Sequence, residues 1–241
     1  MANDSTRGSL ALTLRNIAET LKVSFPTVIE ALQGKVTKDV CDQRLASWSR
    51  HVVENAGMQL EVAGRDHLRP GETYLVMSNH QSHYDVPVLF DVIGPNLRMI
   101  AKEELFRVPV FGAALAAGGF ISIDRGDRDA AIASLQRARD LLASGTHVWI
   151  APEGTRSRTG HLLPFKKGAF YLAFEARLPI LPVTVQGTRD ALPADGMRSA
   201  KGAKVRVTFH AKIDPGPYAD RGKDGRDALM DVVRRTLESA L

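Results

Sequence analysis

The sequence predicts an α/β fold, a mostly parallel mixed sheet of about seven strands flanked by helices, with a helical appendage ahead of it. Three observations carry this. From Met58 onward, short apolar runs alternate with helix-length stretches, the order that produces crossover connections and a parallel sheet covered on both faces. Before Met58, apolar residues recur at helical spacing instead. The length, 241 residues with 44% hydrophobic content, suits one such core with a small addition. The expected division is therefore a helical segment over 1–57 and an α/β domain over 58–241.

Taken in order, Leu10, Leu14, Ile17 and Leu21 form one apolar stripe, with Arg15, Glu19 and Lys22 on another face. A second helix is expected after Phe25-Pro26 and a third over about Thr37–Asn55, with Gly34 and Gly57 as stops. Strands are expected at Gln59–Val62, Thr73–Met77, Leu97–Ile100, Phe120–Ile123, His147–Ala151, Ile180–Val185 and Lys204–His210. Helices are expected at Val86–Val92, Val110–Ala117, Asp127–Ala143, Gly168–Ala176 and from about Asp224 to Leu241. The polar, basic loops at Gly154–Pro164 and Gly187–Gly202 are candidates for ligand contact.

Composition narrows the function classes. A net charge of +5, without basic and aromatic residues interleaved along a face, suits an anionic ligand or lipid surface and argues against nucleic acid. The single cysteine, Cys41, excludes an internal disulfide framework and a multi-cysteine zinc site, and fits a reducing compartment. No apolar h-region follows a basic start, so no secretory signal is expected. Arg15, Glu19, Lys22 and Glu30 interrupt Leu10–Leu32, which argues against a span of about 20 uncharged residues.

The densest chemistry lies in SNHQSHYD, Ser78 to Asp85, directly after an expected strand, where open α/β sheets place their sites. On one helix, five steps of about 100° would set His80 and Asp85 about 140° apart. They meet if His80 sits in the turn before a helix and Asp85 in its first turn. Pro87 supports a helix start near His83 to Asp85. Asp85 would then accept from one imidazole nitrogen and leave the other free to take a proton from a hydroxyl. The residues alone leave two other readings open. Ser82-x-x-Asp85 fits a helix capping box, and His80, His83 and Asp85 fit part of a metal site without an obvious further ligand.

Three further segments bear on that choice: Gly118-Gly119-Phe-Ile-Ser-Ile-Asp124-Arg125, Ala151-Pro152-Glu153-Gly154-Thr155-Arg156-Ser157 and Leu178-Pro179-Ile-Leu-Pro182-Val183. With NHQSHYD they resemble, in order, the four motifs of the glycerolipid acyltransferases, closest to the branch that acylates 1-acylglycerol 3-phosphate. The linking segments KEELFRVPVFG and PFKKGAF share the resemblance, which is dense from Met58 to Val185. Ala151 departs from it, since a bulkier residue is more common there.

The resemblance implies that His80 is a general base oriented by Asp85. It moves an acyl group from acyl-CoA or acyl-carrier protein to the sn-2 hydroxyl of 1-acylglycerol 3-phosphate. No enzyme nucleophile, cofactor or metal is then needed. Arg125, Arg156 and Lys102 are expected to meet phosphate, Glu153 the acceptor's glycerol hydroxyls, and Gly154 and Thr155 to shape the turn. Lys166 and Lys167 are expected either at the donor's phosphates or in solvent. The implied partners are the lysophospholipid, the acyl thioester and a membrane surface, with acyl-carrier protein as an alternative donor. The implied location is cytoplasmic, at the inner face of the cell membrane. Glycerol 3-phosphate or another lysophospholipid is the rival acceptor, and a His-Asp thioester hydrolase the rival class.

Overall fold

The computed structural model describes residues 8–124 and 128–241. Two helices come first, α1 (Leu10–Leu32) and α2 (Lys38–Asn55). The sheet strands are β1 (Gln59–Ala63), β2 (Leu75–Ser78), β3 (Leu97–Lys102), β4 (Ile121–Ile123), β5 (His147–Ile150), β6 (Ile180–Gln186) and β7 (Lys204–Phe209). Among the described residues they form one seven-stranded sheet in the order β1-β7-β6-β2-β5-β3-β4. Every pairing is parallel except β6 with β7. Between the strands run α3 (Asp85–Ile93), α4 (Glu103–Phe106), α5 (Phe111–Ala117), α6 (Arg128–Ala143), α7 (Gly168–Ala176) and α8 (Thr188–Ala191). The chain closes with α9 (Gly216–Ala219) and α10 (Gly222–Glu238).

The uniformly apolar central strands follow from burial on both faces. In β2, Val76 joins a core with Val88, Phe90, Met99, Trp149 and Val183. Its neighbours Leu75 and Met77 point the other way, to Phe170, Leu142, Leu229 and Val233. The period of two along a strand makes this division. Each fully buried large side chain contributes about 1.5–3 kcal/mol. The N-terminal segment shares this core: α2 packs on α3, and Val53 of α2 lies in the first cluster. Arg98 of β3, 3% exposed, donates to Asp42 Oδ1 of α2 at 2.7 Å and, through Nε, to the Gly118 carbonyl. That contact gives the Gly118-Gly119 pair a structural role.

One expectation is corrected. The proline at 26 does not divide two helices, because α1 runs continuously through it. Proline removes one helix hydrogen bond, and here packing of α1 against α2 and α5 outweighs that loss. The helix is also inverted relative to a core helix. Leu14, Ile17, Phe25 and Leu32 are 56%, 49%, 50% and 85% exposed, while Asn16, Ser24 and Thr27 are buried beneath. Among the described residues no helix is long and apolar enough to cross a membrane.

Candidate active site

His80 follows β2, Glu153 follows β5 and Thr188 follows β6, so three parallel strands deliver them to one carboxyl edge of the sheet. Asn79 fixes the exit from β2. Its side-chain amide donates to the Val185 carbonyl at 2.7 Å and its Oδ1 accepts the Val185 N–H at 2.8 Å.

His80 and Asp85 form the expected dyad, with Nδ1 at 2.7 Å from Asp85 Oδ2. The same oxygen accepts the N–H groups of Gln81 at 2.7 Å and Ser82 at 3.0 Å. An oxygen accepting from two backbone donors takes the third contact as acceptor too, so Nδ1 is the donor to Asp85, and in the neutral ring the lone pair is on Nε2. The other carboxylate oxygen accepts from the Thr188 hydroxyl, and Asp85 is fully buried. Asp85 opens α3 while holding the ring before it. The carboxylate therefore orients the ring and ties down the turn before the helix, without a side-chain cap on the helix N–H groups themselves. Half of the expected capping box is present: Ser82 N–H reaches Asp85, but Ser82 Oγ accepts from Tyr84 N–H and donates to the Leu192 carbonyl. The indole of Trp149 meets the His80 ring edge-on, centroids 5.7 Å apart.

Glu153 lies behind His80. Its Oε1 accepts the His80 N–H at 2.9 Å and its Oε2 the Leu163 N–H at 2.8 Å. The carboxyl is 1% exposed, and burial pushes its pKa up against the lowering effect of those two donors. Both carboxylate oxygens thus hold backbone N–H groups, a role beside the expected contact with glycerol hydroxyls. The Ser157 N–H completes the grip by donating to the His80 carbonyl at 2.7 Å. The turn needs Gly154, whose φ is +71°, a region only glycine enters freely. Thr155 is exposed in it.

Arg156 is partly buried. Burial lowers its pKa while Asp85 and Asp195 oppose that, and among the described residues it makes no hydrogen bond or ion pair. His83 stands nearby, its pKa lowered by surrounding protein first and by Arg156 and His80 next. Lys102 ends β3 at the same sheet edge, exposed and without a hydrogen bond to the dyad. Lys166 and Lys167 are exposed. Arg125 and the first residue of the helix expected from Asp127 lie outside the described residues. Among the described residues no group of three His, Cys, Asp or Glu is arranged to hold a metal ion.

An apolar cavity of about 290 Å³ adjoins the dyad loop, near the lower end for ligand sites. His83 and Val86 line it on the dyad side, with Trp48, Phe90, Phe111, Leu115 and Phe120 around it and Thr20 and Thr27 of α1 beyond. Its α4–α5 wall contains a strained turn, since Val110 has φ +65° and the Phe111 N–H donates to the Pro109 carbonyl at 2.7 Å.

The residues missed in sequence are Thr188, Asn79 and Ser157. Thr188 had one signal, its place behind a strand and a glycine. A Cβ on Gly187 would sit 1.9 Å from the Lys204 carbonyl oxygen, so only glycine aims Thr188 at Asp85.

The mostly parallel sheet thus carries a histidine–carboxylate pair at its carboxyl edge with an apolar cavity alongside, a site of the kind enzymes build. The family model described as Acyltransferase matches residues 59–186, and the chain belongs to that family. It is 36% identical over 189 residues to the sheep (Ovis aries) and human (Homo sapiens) proteins named 1-acyl-sn-glycerol-3-phosphate acyltransferase alpha. That match covers 78% of this chain and 64% and 65% of theirs, so the chain spans a little under two thirds of those relatives' length. The yeast (Saccharomyces cerevisiae) 1-acyl-sn-glycerol-3-phosphate acyltransferase is 37% identical over 155 residues, 61% of this chain and 51% of its own. The crystal structure of the 1-acyl-sn-glycerophosphate acyltransferase PlsC from Thermotoga maritima superposes with a TM-score of 0.71. It covers 95% of this chain and 97% of that one at 23% identity, a likeness of fold.

Proposed function

We propose that this chain transfers a fatty acyl group from an acyl thioester, acyl-CoA or acyl-carrier protein, to the sn-2 hydroxyl of 1-acylglycerol 3-phosphate. The products are phosphatidic acid and the free thiol. The observation that carries this reading is the His80–Asp85 pair, whose Nδ1 is engaged by Asp85 and whose Nε2 serves as base in the neutral ring, beside an apolar cavity. The names of the relatives support the same reaction. As the acceptor oxygen bonds to the thioester carbon, Nε2 takes the hydroxyl proton, and Asp85 stabilises the imidazolium that forms. The C–S bond then breaks, and the proton passes to the departing thiolate. General-base assistance of this kind supplies about 10²–10⁴-fold.

Arg156, whose guanidinium makes no hydrogen bond or ion pair among the described residues, receives the acceptor's phosphate. The cavity takes an acyl chain. Glu153 serves as a positioning residue behind His80, Lys102 adds positive charge at the sheet edge, and Arg125 is assigned to phosphate with Arg156. The outward apolar face of α1 lies in a membrane surface. Its exposed stripe and the lipid nature of the substrate support that placement.

The test is an acceptor panel with radiolabelled acyl-CoA and, separately, acyl-carrier protein, run beside His80→Ala. Labelled phosphatidic acid from 1-acylglycerol 3-phosphate, lost in the variant, is expected. Preference for glycerol 3-phosphate would move the acceptor, and thioester cleavage without any acceptor would make the chain a hydrolase.

A further inference from the structure

The helix placed against lipid above also reaches the dyad, and this inference rests on that placement. Where α1 faces the protein, Asn16 is 9% exposed. Its Nδ2 donates to the Tyr84 hydroxyl at 2.7 Å, and its Oδ1 accepts from Asn55 Nδ2 of α2 at 3.0 Å. Tyr84, 4% exposed, immediately precedes Asp85. Its N–H donates to Ser82 Oγ at 3.1 Å, and the Ser82 N–H donates to Asp85 Oδ2 at 3.0 Å. A second tie runs from Thr13, whose Oγ1 accepts the Ser199 N–H at 2.9 Å. The next residue, Ala200, donates to the Ala191 carbonyl at 2.7 Å. Ala191 ends α8, the helix whose Thr188 holds the other oxygen of Asp85. Both carboxylate oxygens of Asp85 thus lead back to α1 by separate routes.

Buried amide and phenol groups make one geometry much better than its neighbours, because a misplaced partner is left unpaired. They fix the register of α1 over the dyad loop in a way that apolar packing would not. We propose that Asn16 and Tyr84 are positioning residues that transmit the seating of α1 to His80 and Asp85, so that a bilayer bound to α1 raises kcat. Lipid along the outer face narrows the positions open to Asn16, and through Tyr84 those open to the dyad loop. Small displacements of a base cost large factors in rate.

The test uses substrates that need no bilayer: short-chain 1-acylglycerol 3-phosphate and short-chain acyl-CoA, below their aggregation limits. Rates are measured with and without empty vesicles of phosphatidylethanolamine and phosphatidylglycerol. Wild type is expected to gain about tenfold in kcat on adding vesicles, with KM values little changed. Tyr84→Phe and Asn16→Leu are expected to sediment with vesicles like wild type yet lose the gain. The double variant Asn16→Leu/Tyr84→Phe replaces both partners of that bond with apolar groups and leaves only the half-buried Asn55 amide without its acceptor, so it regains part of the thermal stability lost in Asn16→Leu but not the vesicle response. Single variants that respond like wild type overturn the proposal. So does a double variant that recovers the response along with its stability. A wild type that acylates bilayer-embedded lysophospholipid but shows no gain overturns the coupling and leaves the proposed reaction standing. A wild type that acylates no lysophospholipid in either form overturns both.

Discussion

The backbone N–H of His80 donates to Glu153 Oε1 at 2.9 Å, while the second oxygen of that carboxylate accepts from Leu163 N–H at 2.8 Å. The residue proposed as the base is therefore gripped from behind by a side chain 73 positions later. Glu153→Gln keeps the volume but turns one acceptor into a donor facing an N–H. A loss of about 1–3 kcal/mol at that contact corresponds to a kcat lower by about 10–100-fold. The KM for the acceptor should change little. A variant with raised acceptor KM and normal kcat would return Glu153 to the role of substrate ligand.

Asp85→Asn tests the other hold on His80. Oδ2 accepts from the ring and from two backbone N–H groups, and Oδ1 from Thr188. An amide gives up the charge that stabilises imidazolium and places a donor against one of these partners. The expected loss in kcat is about 10²–10⁴-fold, measured by steady-state acyl transfer. Thr188→Val, which removes one donor and leaves the volume, should cost about tenfold. Equal losses in the two variants would contradict this ranking.

Much of this site was legible in the sequence because its signals are local. His80 and Asp85 lie in one turn, and the strand before them is an apolar run. Thr188 differs, since its partner lies 103 positions away and leaves no local pattern; Glu153 was named through its segment, but its hold on His80, 73 positions earlier, was not legible there. The strands were legible for the same physical reason that they are buried, namely continuous apolar runs between turn residues. The one-turn helices α4, α8 and α9 are too short to show a period of 3.6. Continuity through Pro26 depends on tertiary packing, which overrides the local breaker.

Arg156→Ala should raise the KM for 1-acylglycerol 3-phosphate by about 10–100-fold, as expected for losing a charge-assisted contact of about 1.5–3 kcal/mol. The KM for acyl-CoA should move far less. Competition by glycerol 3-phosphate, read as an inhibition constant, should weaken in parallel. Parallel loss of acyl-CoA binding instead would assign Arg156 to the donor.

His147 links stability to pH. Its Nδ1 accepts the Tyr74 N–H at 3.1 Å, so the folded ring is neutral, and burial lowers its pKa below 6.5. The folded state thus binds fewer protons than the unfolded state between pH 6.5 and the lowered value. Stability in this window is complete above 6.5 and falls as pH drops through it. Thermal melting of wild type from pH 7.5 to 5 should show that decline, and His147→Gln should make it shallower without abolishing it, because burial lowers the pKa of His83 and His210 as well. An unchanged slope would assign the decline to other groups.

The outward stripe of α1 makes a separable prediction, because its side chains contact solvent and contribute little to the fold. Leu14, Ile17 and Phe25 are 56%, 49% and 50% exposed, so Leu14→Ser/Ile17→Ser/Phe25→Ser should leave the melting temperature nearly unchanged. On a bilayer the same side chains would lose their remaining water contact. At about 25 cal/mol per Å² of apolar surface, three such side chains together contribute roughly 2–4 kcal/mol to interfacial binding. Vesicle sedimentation should therefore show partitioning of the triple variant reduced by about 30–1000-fold. Raising ionic strength should reduce binding of both proteins only by the part owed to anionic lipid. Unchanged partitioning would move the membrane contact off α1, and a large fall in melting temperature would mean that the stripe packs against protein instead.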